Sequence, residues 1–236
     1  MKAIILAAGL GTRLRPITDT TPKCLVPING VPLLEIWLRA CEQAGVEGVL
    51  VNTHHLAEQV EDFAAARRGL PVKLVFEPEL LGSAGTIRAN WDFVDREESF
   101  LVVYADNLTT FRLEELIAFH AGHKHVASVA LFRSPNPSAC GVVSLDGGGI
   151  MTGFWEKPAN PPGNLCNAGL YVFRREVGQY LPAEIPSDVG HSLMPKLVGR
   201  AAGLPLNGYF VDIGTLENYY SAQADYAVAS RAAEEL

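Results

Sequence analysis

The chain has 236 residues and a net charge of −7, with 48% hydrophobic and 19% charged residues. This balance is typical of a globular protein with one large or two small domains and excludes a disordered chain. The acidic excess argues against a general nucleic-acid binder. No apolar run reaches the ~20 residues that cross a bilayer, so no membrane partner is expected. Four cysteines without a CxxC pair predict reduced thiols in a cytoplasmic protein.

Strand-like and helix-like segments alternate through the first half of the chain. Buried strands are predicted at 2–8, 48–54, 72–77 and 99–107, and helices at 32–45, 56–69 and 83–93. This alternation predicts an α/β fold with a parallel sheet covered by helices on both faces.

The second half is less regular. Strand-rich segments are predicted at 126–132, 141–158 and 167–175, a helix at 189–201 despite Pro195, and a closing helix at 215–236. The absence of a clear linker predicts a single domain over 1–236. Histidines 120, 123 and 125 are interpreted as the exposed end of a surface helix rather than a zinc site.

The most informative stretch is "LAAGLGTRLRP" at 6–16, which follows the first predicted strand. It fits neither the dinucleotide fingerprint nor the P-loop, because Leu14 stands where each pattern needs its last glycine. Free backbone amides at a sheet edge, with Arg13 and Lys23 nearby, still suit a polyphosphate. The alternative is a structural turn with solvated arginines.

The longer segment "LAAGLGTRLRPITDTTPKCLVPI" resembles the signature of the sugar-1-phosphate nucleotidyltransferases. Further segments match that family in order, namely "FEPELLGSAGTI", "YADN", "FWEKP", "NAGLYVF" and "GYFVDIGTLENY". The resemblance implies a Rossmann-like three-layer sandwich with a mixed, mainly parallel central sheet. It also implies a nucleotide-binding part at about 1–110, a sugar-phosphate part at about 111–236 and no C-terminal β-helix.

The resemblance implies transfer of a nucleotidyl group from an NTP to a sugar 1-phosphate, with Mg²⁺ as cofactor. The catalytic residues would be Arg13, Lys23, Asp106 and Asp212. Asp106 and Asp212 would hold the metal, although each alone could equally be a turn or cap residue. Spacing cannot show that these two aspartates meet.

The remaining site residues divide between the two substrates. The nucleotide-binding set implied by the resemblance is Leu6, Ala8, Gly9, Gly11, Thr12, Arg13, Lys23, Glu77, Gly82, Ser83 and Gly85. The substrate-binding set is Asn107, Glu156, Lys157 and Asn167. We expect the nucleobase to lie on backbone groups around Gly82 and Gly85, at a helix N-terminus. Without the family, the same residues could be ordinary turns and caps.

Two positions depart from the family pattern. Ala105 stands where glycine usually precedes the metal aspartate, and Cys24 stands where proline is common. The methyl group of Ala105 is expected to crowd the nucleoside, and Cys24 to bring a thiol near the phosphates.

The base loop and the chain ending resemble guanylyl- and uridylyltransferases most. GTP with mannose- or manno-heptose-1-phosphate is the preferred reading. Alternatives are a uridylyltransferase on a hexose or amino-sugar 1-phosphate, a cytidylyltransferase on phosphocholine, a non-catalytic nucleotide-sugar-binding regulator and a dinucleotide-dependent oxidoreductase. The sequence leaves open whether copies form a homo-oligomer.

Overall fold

A computed structural model describes residues 1–234. Its helices are α1 (Leu33–Gln43), α2 (Ala57–Ala66), α3 (Ser83–Ala89), α4 (Leu113–Ala121) and α5 (Leu216–Glu234). Its strands are β1 (Ala3–Leu6), β2 (Pro27–Ile28), β3 (Val31–Pro32), β4 (Val49–Thr53), β5 (Val72–Phe76), β6 (Ser99–Tyr104), β7 (Asn107–Thr109), β8 (Ala127–Arg133), β9 (Gly141–Leu145), β10 (Met151–Glu156), β11 (Leu165–Arg174), β12 (Ala201–Pro205) and β13 (Phe210–Asp212). Residues 235 and 236 of the predicted closing helix lie outside the described chain.

The chain forms two compact units, and unit 1 comprises Met1–Ile4, Leu81–Val103 and Glu114–Leu206. Strand β11 is central to it, because it pairs antiparallel with β6, β8 and β9. Strand β9 pairs antiparallel with β10, and β12 runs parallel to β8. The Tyr171 and Phe173 rings stack with centroids 5.2 Å apart, and both side chains are fully buried. Burying each such ring contributes about 1.5–3 kcal/mol, which anchors β11.

Unit 2 comprises Ile5–Leu80, Tyr104–Leu113 and the described chain from Asn207 onward. Strand β4 runs parallel to β5, whereas β2 pairs antiparallel with β3 and β7 with β13. One buried apolar cluster joins the glycine loop, α1, β7 and α5, and its members are Leu14, Ile28, Leu33, Leu108, Ile213 and Ala222. The half-buried rings of Tyr219 and Tyr226 in α5 pack against this cluster, so the cluster fixes the loop that follows β1.

The predicted α/β class with a mixed sheet is confirmed. The predicted helix at 189–201 is wrong: a π-helical turn covers Val189–Leu193, a 3₁₀ turn covers Met194–Leu197, and β12 begins at Ala201. Pro195 has no amide proton for a continuous helix, and Ala201 pairs with Ala127 of β8. The single-domain boundaries stay a prediction. No helix in residues 1–234 is both long and apolar enough to span a membrane.

The interpretation of the histidines as an exposed helix end is wrong for His120. Its side chain is 3% exposed, at the end of α4. Its Nδ1 lies 2.8 Å from Ser128 Oγ and its Nε2 lies 3.1 Å from Ser99 Oγ. His123 Nε2 also bonds Ser128 Oγ, at 2.9 Å. Both ring nitrogens of His120 therefore have partners within the protein.

Candidate active site

The glycine loop after β1 folds back onto Thr18. Gly11 has a φ of +64°, and a Cβ added there would lie 2.8 Å from Thr18 Cγ2. The Thr18 hydroxyl donates a 2.7 Å hydrogen bond to the Gly11 carbonyl oxygen. Glycine is needed here because of both the left-handed backbone and the close approach. At Gly9, by contrast, a Cβ would meet nothing within 4 Å, so the loop leaves open space beside that residue.

A buried polar pair supports the start of the loop. The Asn52 side chain accepts a 2.7 Å hydrogen bond from the Ala7 amide and donates one of 2.9 Å to Glu77 Oε1. Glu77 is only 2% exposed. The structure thus places Glu77, a predicted nucleotide-binding residue, beneath the loop that carries Ala8 and Gly9. Sequence reasoning missed Asn52, whose signal is a polar residue inside the apolar strand β4.

Four charged side chains of unit 2 come together. Lys23 Nζ lies 2.6 Å from Asp106 Oδ2 and 3.8 Å from Asp212 Oδ1. Arg13 lies 4.0 Å from Asp212 Oδ2. All four predicted catalytic residues therefore belong to one cluster. Lys23 is 8% exposed, whereas the other three side chains reach solvent.

Backbone pairing brings the two aspartates together. Asp212 in β13 is the register partner of Asn107 in β7, and the Ile213 amide donates a 2.8 Å hydrogen bond to the Asp106 carbonyl oxygen. Trp37 Nε1 donates to the Asn107 carbonyl oxygen at 2.9 Å. Asn107, predicted to bind substrate, is buried in this short sheet. The β7–β13 pairing thus supplies the contact that spacing alone could not show.

Two further residues of unit 2 position Asp212, and sequence reasoning missed both. Asn218 Nδ2, in the first turn of α5, donates a 2.7 Å hydrogen bond to the Asp212 carbonyl oxygen. A Cβ on Gly214 would lie 2.8 Å from Asp212 Oδ1 and 2.9 Å from an Arg13 nitrogen. Gly214 therefore leaves the room in which Arg13 and Asp212 approach each other. The tetrapeptide "DIGT", in which Gly214 follows Asp212 by two residues, is the sequence feature that could have indicated Gly214.

The two departures from the family pattern lie in buried surroundings. Burial raises the pKa of the Cys24 thiol to about 12, so the thiol is protonated near neutral pH and weakly nucleophilic. Ala105 is also buried, and its amide donates a 3.0 Å hydrogen bond to the Leu6 carbonyl oxygen. The crowding of a nucleoside by Ala105 stays a prediction.

The predicted base loop in unit 1 is closed by residues 187 and 188. The amides of Ala84 and Gly85 donate to the Ser187 carbonyl oxygen at 2.9 and 3.0 Å. The Ser83 amide and hydroxyl both lie within hydrogen-bond distance of Asp188 Oδ1, at 3.2 and 3.3 Å. The first amides of α3 therefore have acceptors within unit 1, and the position of a nucleobase on backbone groups around Gly82 and Gly85 stays a prediction.

Glu156 ends β10 between two glycines. A Cβ on Gly141 would lie 2.9 Å from Glu156 Oε2, and one on Gly190 would overlap that oxygen. Burial raises the pKa of Glu156; the Lys157 and His191 charges oppose this rise, and the Asp188 charge adds to it. Gly190 lies in the π-helical turn Val189–Leu193, a rare conformation that is often found at functional sites.

Lys157 and Asn167 are the other two acceptor candidates of unit 1. Lys157 is exposed and has a φ of +46°, and its amide donates a 3.0 Å hydrogen bond to the Cys140 carbonyl oxygen. The Asn167 Oδ1 accepts from the Gly169 amide at 3.0 Å, and its Nδ2 donates to the Tyr171 hydroxyl. Lys157 thus presents an exposed ammonium group, and Asn167 presents a carboxamide that two contacts hold in place.

The unit 2 cluster can hold a hard cation. Carboxylate oxygens are the ligands Mg²⁺ prefers, and it commonly takes one or two carboxylates together with substrate phosphates. Asp106 and Asp212 meet this requirement at the solvent-facing side of the cluster. Within residues 1–234, no group of three or more His, Cys, Asp or Glu side chains is arranged for a metal. The donor set therefore fits a Mg²⁺ ion shared with phosphate oxygens.

Comparisons with known proteins identify the family of this chain. Residues 2–228 match the family described as nucleotidyl transferase. The chain is 35% identical to a UTP--glucose-1-phosphate uridylyltransferase from Synechocystis sp., over 94% of this chain and 62% of that protein. It is 31% identical to the mannose-1-phosphate guanylyltransferase catalytic subunit beta of Drosophila melanogaster, over 98% of this chain and 64% of that protein. The chain thus spans less than two thirds of each relative.

Solved structures share the fold. A Bacillus anthracis protein assigned as a glucose-1-phosphate thymidylyltransferase superposes with a TM-score of 0.84 at 23% identity, covering 98% of this chain and 95% of that one. HddC from Yersinia pseudotuberculosis, in complex with GMP-PN, gives a TM-score of 0.78 at 23% identity, over 95% of this chain and 99% of that one. These neighbours confirm the predicted fold class.

Proposed function

The chain belongs to the nucleotidyl transferase family, and from that premise we propose that it transfers a nucleotidyl group from an NTP to a sugar 1-phosphate. A phosphate oxygen of the sugar attacks the α-phosphorus of the NTP. The bond between that phosphorus and the α–β bridging oxygen breaks, so the products are an NDP-sugar and pyrophosphate. The observation that carries the proposal is Lys23 held between Asp106 and Asp212, with Arg13 beside them.

The unit 2 residues bind the triphosphate in this proposal. Arg13 takes the β- and γ-phosphates as a two-pronged donor, helped by the amides of Gly9, Gly11 and Thr12. Lys23 has three N–H donors, so it can keep its bond to Asp106 while it donates to the α-phosphate. Asp106 and Asp212 would hold Mg²⁺, which would neutralise part of the charge on the phosphates.

The unit 1 residues bind the acceptor. Lys157 contacts the sugar phosphate, and Glu156 and Asn167 bond sugar hydroxyls. The acceptor phosphate is already ionised near neutral pH, so the reaction needs no strong general base. Catalysis then depends on positioning two mutually repelling anions and on stabilising the leaving pyrophosphate.

We propose GTP with mannose- or manno-heptose-1-phosphate as the substrate pair. The name of the Drosophila relative, a mannose-1-phosphate guanylyltransferase, supports this choice. UTP with a hexose 1-phosphate is the second candidate, because the Synechocystis relative, at 35% identity, is named a UTP--glucose-1-phosphate uridylyltransferase. Guanine and uracil present different hydrogen-bonding edges, and a site with one reversed donor or acceptor discriminates strongly between the two bases.

The test is a matrix of the common NTPs against a panel of sugar 1-phosphates, with pyrophosphate release as the readout. We expect the highest kcat/KM with GTP and a manno-configured acceptor. UTP with glucose 1-phosphate as the best pair would favour the second candidate, and phosphocholine as the best acceptor would refute both. Tight nucleotide-sugar binding without turnover in any pair would identify a regulator. The cytoplasmic location and oligomeric state stay predictions.

A further inference from the structure

A pocket in unit 1 is lined by none of the site residues discussed above. It encloses about 480 Å³ and is lined by Arg88, Trp91, Arg175, Gly178, Gln179 and Leu181. This volume is within the range of about 300–1,000 Å³ found for small-molecule sites. None of the lining residues is part of the proposed transfer reaction, so what this pocket binds is a separate question.

Two guanidinium groups reach the pocket from different segments. Arg88 lies in the last turn of α3, and Arg175 directly follows β11. Both residues are exposed, and within residues 1–234 neither side chain forms an ion pair or a hydrogen bond. Arginine forks match the oxygens of a phosphate group. The pocket therefore offers two cationic donors that the protein itself does not use.

The third feature of the pocket is an indole held in place. The Trp91 ring makes an edge contact with Phe100, with centroids 5.8 Å apart and planes at 83°. Gly178 packs against the six-membered ring of the indole, because a Cβ there would lie 2.6 Å from Trp91 Cζ2. The half-buried ring is thus held by Phe100 and Gly178, and it lines the pocket. A fixed aromatic ring is a stacking surface for a planar ligand.

We propose that this pocket is a binding site for a nucleoside phosphate, with the phosphate held by Arg88 and Arg175 and the base stacked on Trp91. Gln179 supplies a carboxamide, which can both donate to and accept from a base edge. The inference stands independently of the transfer reaction, since it uses no residue of the glycine loop or of the Lys23–Asp106–Asp212 cluster.

The test is a titration followed by the ¹H–¹⁵N signals of the three tryptophan indoles, with Trp91→Phe identifying the Trp91 signal. Adenosine 5′-monophosphate is the probe, and adenosine, inorganic phosphate and glucose 1-phosphate are the comparators. We expect saturable movement of the Trp91 signal with the nucleotide. Arg88→Gln and Arg175→Gln should each raise the Kd about tenfold or more. Gly178→Ala should abolish binding by displacing the ring.

Arg96→Gln is the matched control, because Arg96 is an exposed arginine of the same unit that does not line the pocket. It should leave the Kd unchanged. If the Trp91 signal does not move at about 10 mM nucleotide, any binding has a Kd above the millimolar range. That result would overturn the proposal. So would a response that survives in the Arg88→Gln/Arg175→Gln double variant. Equal binding of inorganic phosphate or glucose 1-phosphate would overturn the recognition of a base.

Discussion

Lys23 Nζ lies 2.6 Å from Asp106 Oδ2, and the lysine is 8% exposed while the carboxylate reaches solvent. If Asp106 and Asp212 hold Mg²⁺ on that solvent side, then Asp106→Asn and Asp212→Asn should each lower kcat by about 10²-fold or more, because one anionic ligand is lost while its shape is kept. Steady-state pyrophosphate release across a Mg²⁺ titration measures the effect. Near-normal rates at saturating Mg²⁺ would contradict the metal-holding role.

The fold provides the control for this experiment. Asp106→Asn leaves the buried Lys23 with the more distant Asp212 alone, so it should cost more unfolding free energy than Asp212→Asn does. Urea unfolding of both variants measures this difference. A loss of activity with a full native unfolding transition assigns the defect to the site and not to the fold.

The family resemblance predicts the members of this cluster and implies that Asp106 and Asp212 share a metal, but the spacing of the residues does not show how the two aspartates meet. Arg13 and Lys23 are recognisable because they follow a glycine loop, and Asp106 because it follows an apolar strand. Asp106 and Asp212 meet through β7 and β13, which have three residues each, too few to show a period of two. His120 was misread for a similar reason, since its burial depends on Ser99 and Ser128, which belong to other strands of unit 1. Contacts between residues far apart in the sequence determine both the meeting of the two aspartates and the burial of His120.

A second prediction concerns the support beneath the glycine loop. Asn52→Ala removes the acceptor of the Ala7 amide and the donor to the buried Glu77 carboxylate. Leaving such buried groups without this partner costs about 1–3 kcal/mol. We therefore expect lower unfolding free energy together with a raised KM for the NTP. Asn207→Ala, at an exposed asparagine of the same unit, should change neither quantity. An unchanged KM for the NTP would show that the loop holds its shape without Asn52.

A third prediction separates the charge of Lys157 from its backbone. Lys157→Ala should raise the KM for the sugar phosphate about 10- to 100-fold, because a charged hydrogen bond is lost, and leave the KM for the NTP unchanged. Lys157→Asn should do the same with less strain, since asparagine adopts the positive φ of this position more readily than alanine. Lys124→Ala provides an exposed lysine control in the same unit. An effect confined to the NTP would refute the assignment of Lys157.

A fourth prediction follows from the half-buried carboxylate of Glu156. Burial raises the pKa of this group in the folded protein, so the folded state favours the protonated form. The carboxylate of Glu156 therefore lowers the free energy of unfolding, and this effect grows as the pH rises from the pKa of the unfolded state to the higher pKa of the folded state. Glu156→Gln should raise the Tm by about 1–3 °C at neutral pH, with no gain below pH ~4. It should also weaken sugar-phosphate binding. A gain that does not depend on pH would contradict the titration of Glu156 as its cause.

The last prediction concerns acid sensitivity and the buried His120. Burial lowers the pKa of His120 to about 3, helped by the charges of Arg174 and His123. An unfolded histidine titrates near pH ~6.5, so only the unfolded state takes up this proton between these values. The contribution of the neutral His120 to the unfolding free energy is fully present above pH ~6.5 and falls with decreasing pH by up to about 1.4 kcal/mol per pH unit.

His120→Gln should remove that slope, whereas replacement of the exposed His191 by Gln should retain it. Urea unfolding from about pH 4.5 to about pH 7.5, which covers both sides of the unfolded-state pKa of ~6.5, measures the slopes. Equal slopes in the wild-type protein and the His120→Gln variant would mean that His120 takes up its proton without unfolding.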